Sequence, residues 1–296
     1  MIRNVIAGCE VLIINESDSV MRGRHPVNRG FYAPHQKKSE IYNQIRIYLR
    51  SDPPPLNLGD TVFQADASWS ISEDDSFKWI ISHHPDFDHS QWTARFNHEF
   101  TEGIVYCGQT MLDRSESRTV LRNPVEYPLD QILMMHFLAR NSGMLIHSAG
   151  WRLNDNGWIF AGKSGAGKST ISNLIVEETG TTFLSDDRIV VRKIGQDFLM
   201  YGTPWPGDAG YAVNESVPLK GILFLSKGAE NNIRKLNPSD AIARLMPVVS
   251  IPWYDREKVE LMMDFCDILI GSIPMYELAF VPDKAAVDML VGFVSK

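Results

Sequence analysis

The sequence predicts an α/β protein with a β-rich amino-terminal domain. Three observations carry this reading. A glycine-rich octapeptide at 162–169 stands between an apolar strand and a helix. From Tyr127 onward, segments with helical spacing alternate with short apolar runs. Before that, residues 1–125 show short alternating segments such as Ile45-Arg46-Ile47-Tyr48-Leu49 and Lys78-Trp79-Ile80-Ile81, broken by Asp, Ser and Pro clusters. A boundary near 125/126 follows, with a catalytic domain over 126–296. The length of 296 residues and the 44% hydrophobic content suffice for two domains of moderate size.

Gly162-Lys163-Ser164-Gly165-Ala166-Gly167-Lys168-Ser169 fits G-x-x-x-x-G-K-[ST], the P-loop (Walker A) pattern. The strand it requires is read at 157–161. The helix is read at 169–178, where Ile171, Leu174 and Ile175 fall on one face. Without Cβ atoms, Gly162, Gly165 and Gly167 let the backbone wrap an oxyanion, so that successive N–H groups and the helix N-terminus point at phosphates. The expected ligand is ATP with Mg²⁺, held by residues 162–169 and Thr170. Lys168 is expected on the β- and γ-phosphates and Ser169 on the metal.

The rest of the second half is ordered around this motif. A helix is predicted over 129–139, opened by Pro128 and with Leu129, Ile132, Leu133 and Phe137 on one face. A strand follows at 144–151, a turn at 154–157, then the strand before the loop. Further strands are read at 182–184, 189–191 and 221–225. Helices are read at 238–246, 256–270 and 284–294, the last capped by Asp283.

What stands opposite a bound phosphate decides the chemistry. Asp186-Asp187 ends a β-prone run soon after Ser169. One carboxylate, with Asp186 named for it, is expected to hold Mg²⁺ as a Walker B aspartate does and the second to accept the proton of an attacking hydroxyl, and which of the two is the base is left open. The competing reading is an acidic strand-end turn. His147, in a strand expected to pair beside the loop strand, either orients the aspartate or γ-phosphate or packs as a core histidine. Trp205 and Asp208 either line the acceptor side or form a rigid proline turn. Arg234, Lys235 and Arg244 are candidates for a charge on the transferring phosphoryl group, against a solvated helix face.

The run from His147 through 162–169 to Asp186-Asp187 resembles the catalytic domain of HPr kinase/phosphorylase, whose core is similar to phosphoenolpyruvate carboxykinase. It looks closer still to the HPr-kinase-related proteins often found with peptide-modification genes. Tyr127-Pro128-Leu129-Asp130-Gln131, the run Gly202-Thr203-Pro204-Trp205-Pro206-Gly207-Asp208, Pro218-Leu219 and Tyr276-Glu277-Leu278 add to the likeness, which covers roughly 125–290. The resemblance implies a P-loop kinase core of the HPr kinase/phosphoenolpyruvate carboxykinase type, using ATP and Mg²⁺ to phosphorylate a Ser or Thr hydroxyl of a peptide or protein, with Asp186, Asp187, His147 and Lys168 as catalytic residues. Lys163 and Thr170 stand where HPr kinase carries acidic residues, and its Gly-rich, Arg-bearing second signature is not found; these departures point to an acceptor other than HPr. Two rivals remain, a small-molecule hydroxyl kinase and a nucleotide-binding regulator without turnover.

Other features bound the answer. A net charge of −7 with no Lys/Arg cluster argues against nucleic acid as partner. The longest apolar runs, at 132–135 and 222–225, fall far short of the ~20 residues that cross a bilayer, so no membrane association is expected. Ile6-Ala7-Gly8-Cys9 mimics a lipoprotein box, but the apolar stretch before it is too short for a signal. Cys9, Cys107 and Cys266 stand apart, with no C-x-x-C pair, which fits a reducing cytoplasm. His83, His84, His89 and His98 match no metal-ligand spacing and read as solvated histidines. The stretch 15–40 reads as a mobile loop, and the β-rich domain as the element that selects the acceptor. The sequence leaves a homo-oligomer open.

Overall fold

The computed structural model describes residues 1–22, 30–31, 43–65, 68–83, 90–114 and 118–295. It is a mixed α/β structure with several sheets. Contacts divide it into two compact units, Met1–Phe137 and Leu138–Lys296.

The first unit is built from strands: β1 (Ile2–Ile6), β2 (Cys9–Asn15), β3 (Val20–Met21), β4 (Asn43–Arg50), β5 (Asp60–Ala65), β6 (Trp69–Glu73), β7 (Lys78–Ser82), β8 (Trp92–Phe96), β9 (Glu102–Cys107), β10 (Leu112–Arg114) and β11 (Thr119–Leu121). Among the described residues, eight of them form one sheet in the order β1-β2-β4-β9-β8-β7-β6-β5, and β10-β11-β3 form a smaller one. Period-two alternation sets the faces: Ile45, Ile47 and Leu49 of β4 are buried while Arg46 between them is exposed. The expected loop at 15–40 is therefore interrupted by a strand, since Val20 and Met21 pair with Val120 and Leu121; residues 23–29 and 32–42 lie outside the described residues. So do His84 and His89. His98 is exposed, whereas half-buried His83 is hydrogen-bonded through Nε2 to Ser70 Oγ at 2.9 Å, so it is not simply solvated.

Helix α1 (Leu129–Arg140) forms where the apolar spacing placed it, with Leu129, Ile132, Leu133 and Phe137 buried. Pro128 precedes the helix, and its carbonyl accepts from Ile132 N–H at 3.0 Å. The contact division falls inside this helix, at 137/138, rather than ahead of it at 125/126.

The second unit comprises β12 (Gly143–Leu153), β13 (Asn156–Ala161), α2 (Lys168–Thr179), β14 (Thr182–Ser185), β15 (Arg188–Ile194), β16 (Asp197–Tyr201), β17 (Ser216–Lys227), β18 (Asn232–Lys235), α3 (Pro238–Leu245), α4 (Arg256–Ser272), β19 (Met275–Phe280) and α5 (Lys284–Val294). The long strands β12 and β17 each serve two sheets: the chain of pairings β13-β12-β15-β16-β17 returns to β13, while β17 continues to β19 and β18.

Alternation along β13 and β17 separates two cores. Trp158, Phe160, Leu223 and Leu225 point to Ile171 and Ile175 of α2 and to Ala286, Val287 and Leu290 of α5. Ile159, Ala161, Ile222 and Phe224 point the other way, to Leu245 of α3 and Met262, Phe265 and Leu269 of α4. Helices thus cover both faces, and the strands read as continuous apolar runs, as parallel strands buried on both sides do. Each helix starts at a cap suited to it: Asn237, Asp255 and Asp283 accept from the backbone N–H three residues on, and Gly167 precedes α2.

Candidate functional site

The glycine-rich segment 162–167 connects β13 to α2, in the strand-loop-helix order that its spacing predicts. Gly167 has φ 104°, a left-handed conformation that a side chain would strain, and it is the residue that turns the chain into the helix. No side chain caps α2, and its first turn holds no acidic residue, so the positive end of the helix is left uncompensated. Lys168 folds back over the loop, its Nζ donating to the Gly162 carbonyl at 2.9 Å. Burial lowers the Lys168 pKa from the usual lysine value; the Asp187 carboxylate opposes that effect and the Arg188 charge adds to it.

The two aspartates form the break between β14 and β15, which run antiparallel to β12 one after the other. Ser185 lies opposite Gly150, and Arg188 opposite His147. At such an irregularity neighbouring side chains are re-aimed, and here they part company. Asp186 turns to the segment 207–211 and is only 4% exposed. Its Oδ1 accepts from Gly207 N–H at 2.9 Å and Tyr211 N–H at 3.2 Å, and its Oδ2 from Ala209 N–H at 2.7 Å.

Asp187 takes the other direction. Its Oδ1 is 3.0 Å from His147 Nε2, its Oδ2 is 3.6 Å from Arg188 Nε, and its carbonyl accepts from Ser148 N–H at 2.9 Å. Burial alone would raise the Asp187 pKa, but the His147 hydrogen bond and the charges of Arg188, His147 and Lys168 outweigh it and hold the carboxyl below its usual value. Asp187 is therefore an ionised carboxylate in electrostatic contact with Lys168.

Asp186, which the sequence offers for the metal and for catalysis, is placed against 207–211, where both of its oxygens accept backbone N–H groups in a buried position. Asp187, His147 and Lys168 are brought together. Ser169 and Thr170 lie in the exposed first turn of α2. Trp205 is packed at 8% exposure and its carbonyl lies 3.4 Å from Ser185 Oγ, as the rigid-turn alternative has it, while Asp208 is exposed. Arg234 and Arg244 are both engaged with Glu277, so neither is a spare cation, and Lys235 is exposed on β18.

Two features were missed in the sequence. The amide-rich turn 207–211 that fixes Asp186 carries little signal beyond its glycines. Arg188 follows directly on the aspartates, and that adjacency was the available clue. A cavity of about 330 Å³ also opens beside the loop, lined by Gly162, Lys163 and Ala166 on one side and by Phe224, Ala243 and Val248 among the others.

Among the described residues no group of three or more His, Cys, Asp or Glu side chains is arranged to hold a metal. The oxygen donors of Ser169 and Asp187 are nevertheless of the kind that Mg²⁺ takes in nucleotide sites, where bound phosphates complete the shell. No described helix is long and apolar enough to cross a membrane.

No family model and no curated protein matches the chain. Among solved structures, the Hpr(Ser) kinase/phosphatase from Coxiella burnetii is similar at 13% identity and a TM-score of 0.31, over 51% of this chain and 88% of that one. This is a distant structural relation, and the functional reading rests on the chain's own residues.

Proposed function

We propose that the second unit binds ATP on the 162–170 segment and transfers its γ-phosphoryl group to a hydroxyl. One arrangement carries the reading: Lys168, the uncapped start of α2 and the His147-held carboxylate of Asp187 act on one another at the end of the β12–β13 pair. Backbone N–H groups of the loop and the first turn of α2 cradle the phosphates, and Lys168 leaves the Gly162 carbonyl for the β- and γ-phosphate oxygens. Ser169 would hold Mg²⁺, which when bound would supply positive charge to offset the negative charge of the phosphates. His147 orients Asp187, which accepts the proton of the attacking hydroxyl, while the bond to the leaving β-phosphate oxygen breaks and ADP departs. The transition state of such transfers is loose, so a carboxylate that is well placed but weakly basic suffices.

The apolar cavity beside the loop has room for the nucleoside. The acceptor is a Ser or Thr hydroxyl of a peptide or protein, selected by the strand-built first unit. Supporting this, the second unit carries candidate groups for nucleotide, metal and base, which leaves the choice of acceptor as a role open to the first. A small hydroxylated metabolite is the second reading.

The test is titration of Lys168→Ala with MgATP. Loss of one charge-assisted hydrogen bond should weaken binding at least about tenfold. Unchanged affinity together with unchanged ATP consumption would remove the proposal. Mass spectrometry of candidate peptides and proteins incubated with the chain and ATP then separates Ser/Thr acceptors from small molecules.

A further inference from the structure

Arg188 is a cation whose chemistry is unspent. Its Nε and Nη1 are both shut off from water without a hydrogen-bond partner, on a side chain that still retains 23% exposure. The carboxylate it faces is that of Asp187, at 3.6 Å from Nε, beyond hydrogen-bonding distance. Buried donors are nearly always satisfied, and a guanidinium left without acceptors is costly unless some other group supplies them.

The local charge points the same way. The Arg188 charge acts on Lys168 to lower its pKa, and the Asp187 carboxylate interacts with both cations, while Asp186 is turned away onto backbone amides. Arg188 is fixed by strand pairing rather than by a loop: it stands opposite His147 in the β12–β15 register, and its carbonyl accepts from Thr203 Oγ1 at 2.7 Å. Two like charges held together on rigid elements, with donors to spare, form an anion-binding position that the protein itself leaves incomplete.

We propose that Arg188 binds the terminal phosphoryl group of the nucleoside triphosphate, its planar fork donating to phosphoryl oxygens on the side of that group away from Lys168. This rests on the nucleotide reading above and adds to it a residue that discriminates triphosphate from diphosphate. Lys168 sits under the chain of phosphates and serves ATP and ADP alike. Arg188, beyond it beside Asp187, meets an anion only when the third phosphoryl group is present. In the transfer step it remains with that group as its charge spreads over the equatorial oxygens, which is where an arginine has its effect.

The experiment is a calorimetric titration of the full chain with MgADP and with a non-hydrolysable MgATP analogue, repeated with Arg188→Gln. Affinity for the triphosphate should fall about tenfold in the variant, while affinity for MgADP changes less than about twofold. Equal losses for both nucleotides, or no loss for either, would overturn the proposal and make Arg188 a structural residue. If the unaltered chain binds neither nucleotide, the nucleotide reading itself fails, and this proposal with it. Should the glutamine variant unfold, Arg188→Lys keeps the charge but loses the fork, and reads the same ratio: reduced discrimination supports the proposal, and a wild-type ratio overturns it.

Discussion

Gly207 donates its backbone N–H to Asp186 Oδ1 at 2.9 Å, and a Cβ on Gly207 would lie 2.8 Å from Asp186 Oδ2. The absence of a side chain lets the carboxylate sit against the backbone of 207–211, where it accepts three N–H groups, and the two adjacent aspartates thereby face different surroundings. Asp186→Asn replaces one acceptor oxygen with a donor that faces an amide N–H, so it should destabilise the second unit by about 1.5–3 kcal/mol, the range for hydrogen bonds to charged groups. Asp187→Asn should leave the melting temperature close to wild type and lower turnover by ~10² to 10⁴. Thermal unfolding and ATP consumption measured on both variants check the division; the opposite pattern would restore Asp186 as the reactive carboxylate.

The cavity beside the loop gives a steric prediction. Ala243 lines it from the exposed side of α3, so a larger side chain there has room to fold but occupies the space assigned to the nucleoside. Ala243→Trp should weaken MgATP binding about tenfold or more while leaving binding of inorganic triphosphate unchanged. Equal effects on both ligands would place the nucleoside elsewhere.

Glu277 supplies a pH dependence. The hydrogen bond from Arg234, aided by Arg244 and against a smaller effect of burial, holds its carboxyl below the usual range. A folded-state pKa below the unfolded one means that the folded state binds its proton less readily. The stabilisation is thus complete above the ordinary glutamate pKa of about 4.3 and is lost as pH falls through the folded value. Denaturant midpoints measured from pH 7 down to pH 3 should fall more steeply for the wild type than for Glu277→Gln.

The cysteines should be inert. Cys9, Cys107 and Cys266 are buried and outside any disulfide, and burial raises the Cys107 and Cys266 thiols to about 12 and about 11. A thiol reagent at pH 7.5 should label the native protein only slowly and all three positions once the chain is denatured. Rapid native labelling at Cys266 would mean that α4 opens readily.

Local pattern alone determined the strand-loop-helix at 157–178, the helices at 129–139, 256–270 and 284–294, and the β character of residues 1–125. Glycine spacing, apolar periodicity and capping residues act within a few positions of themselves, so the sequence displays them directly. The capping role of Asp283 was legible for the same reason. Strands β16, β18 and β19 were not read from periodicity. Their pairing with β15, β17 and one another is decided by contacts between distant segments. At the site, the sequence singled out Lys168, His147 and two adjacent aspartates without showing how the surroundings of the two aspartates differ. Only the tertiary structure separated them, because which carboxylate meets amides and which meets His147 depends on the strand break beside β12. It also decided which arginine is spare: Glu277 on β19 engages Arg234 on β18 and Arg244 on α3, while Arg188 is left with donors that no acceptor among the described residues takes.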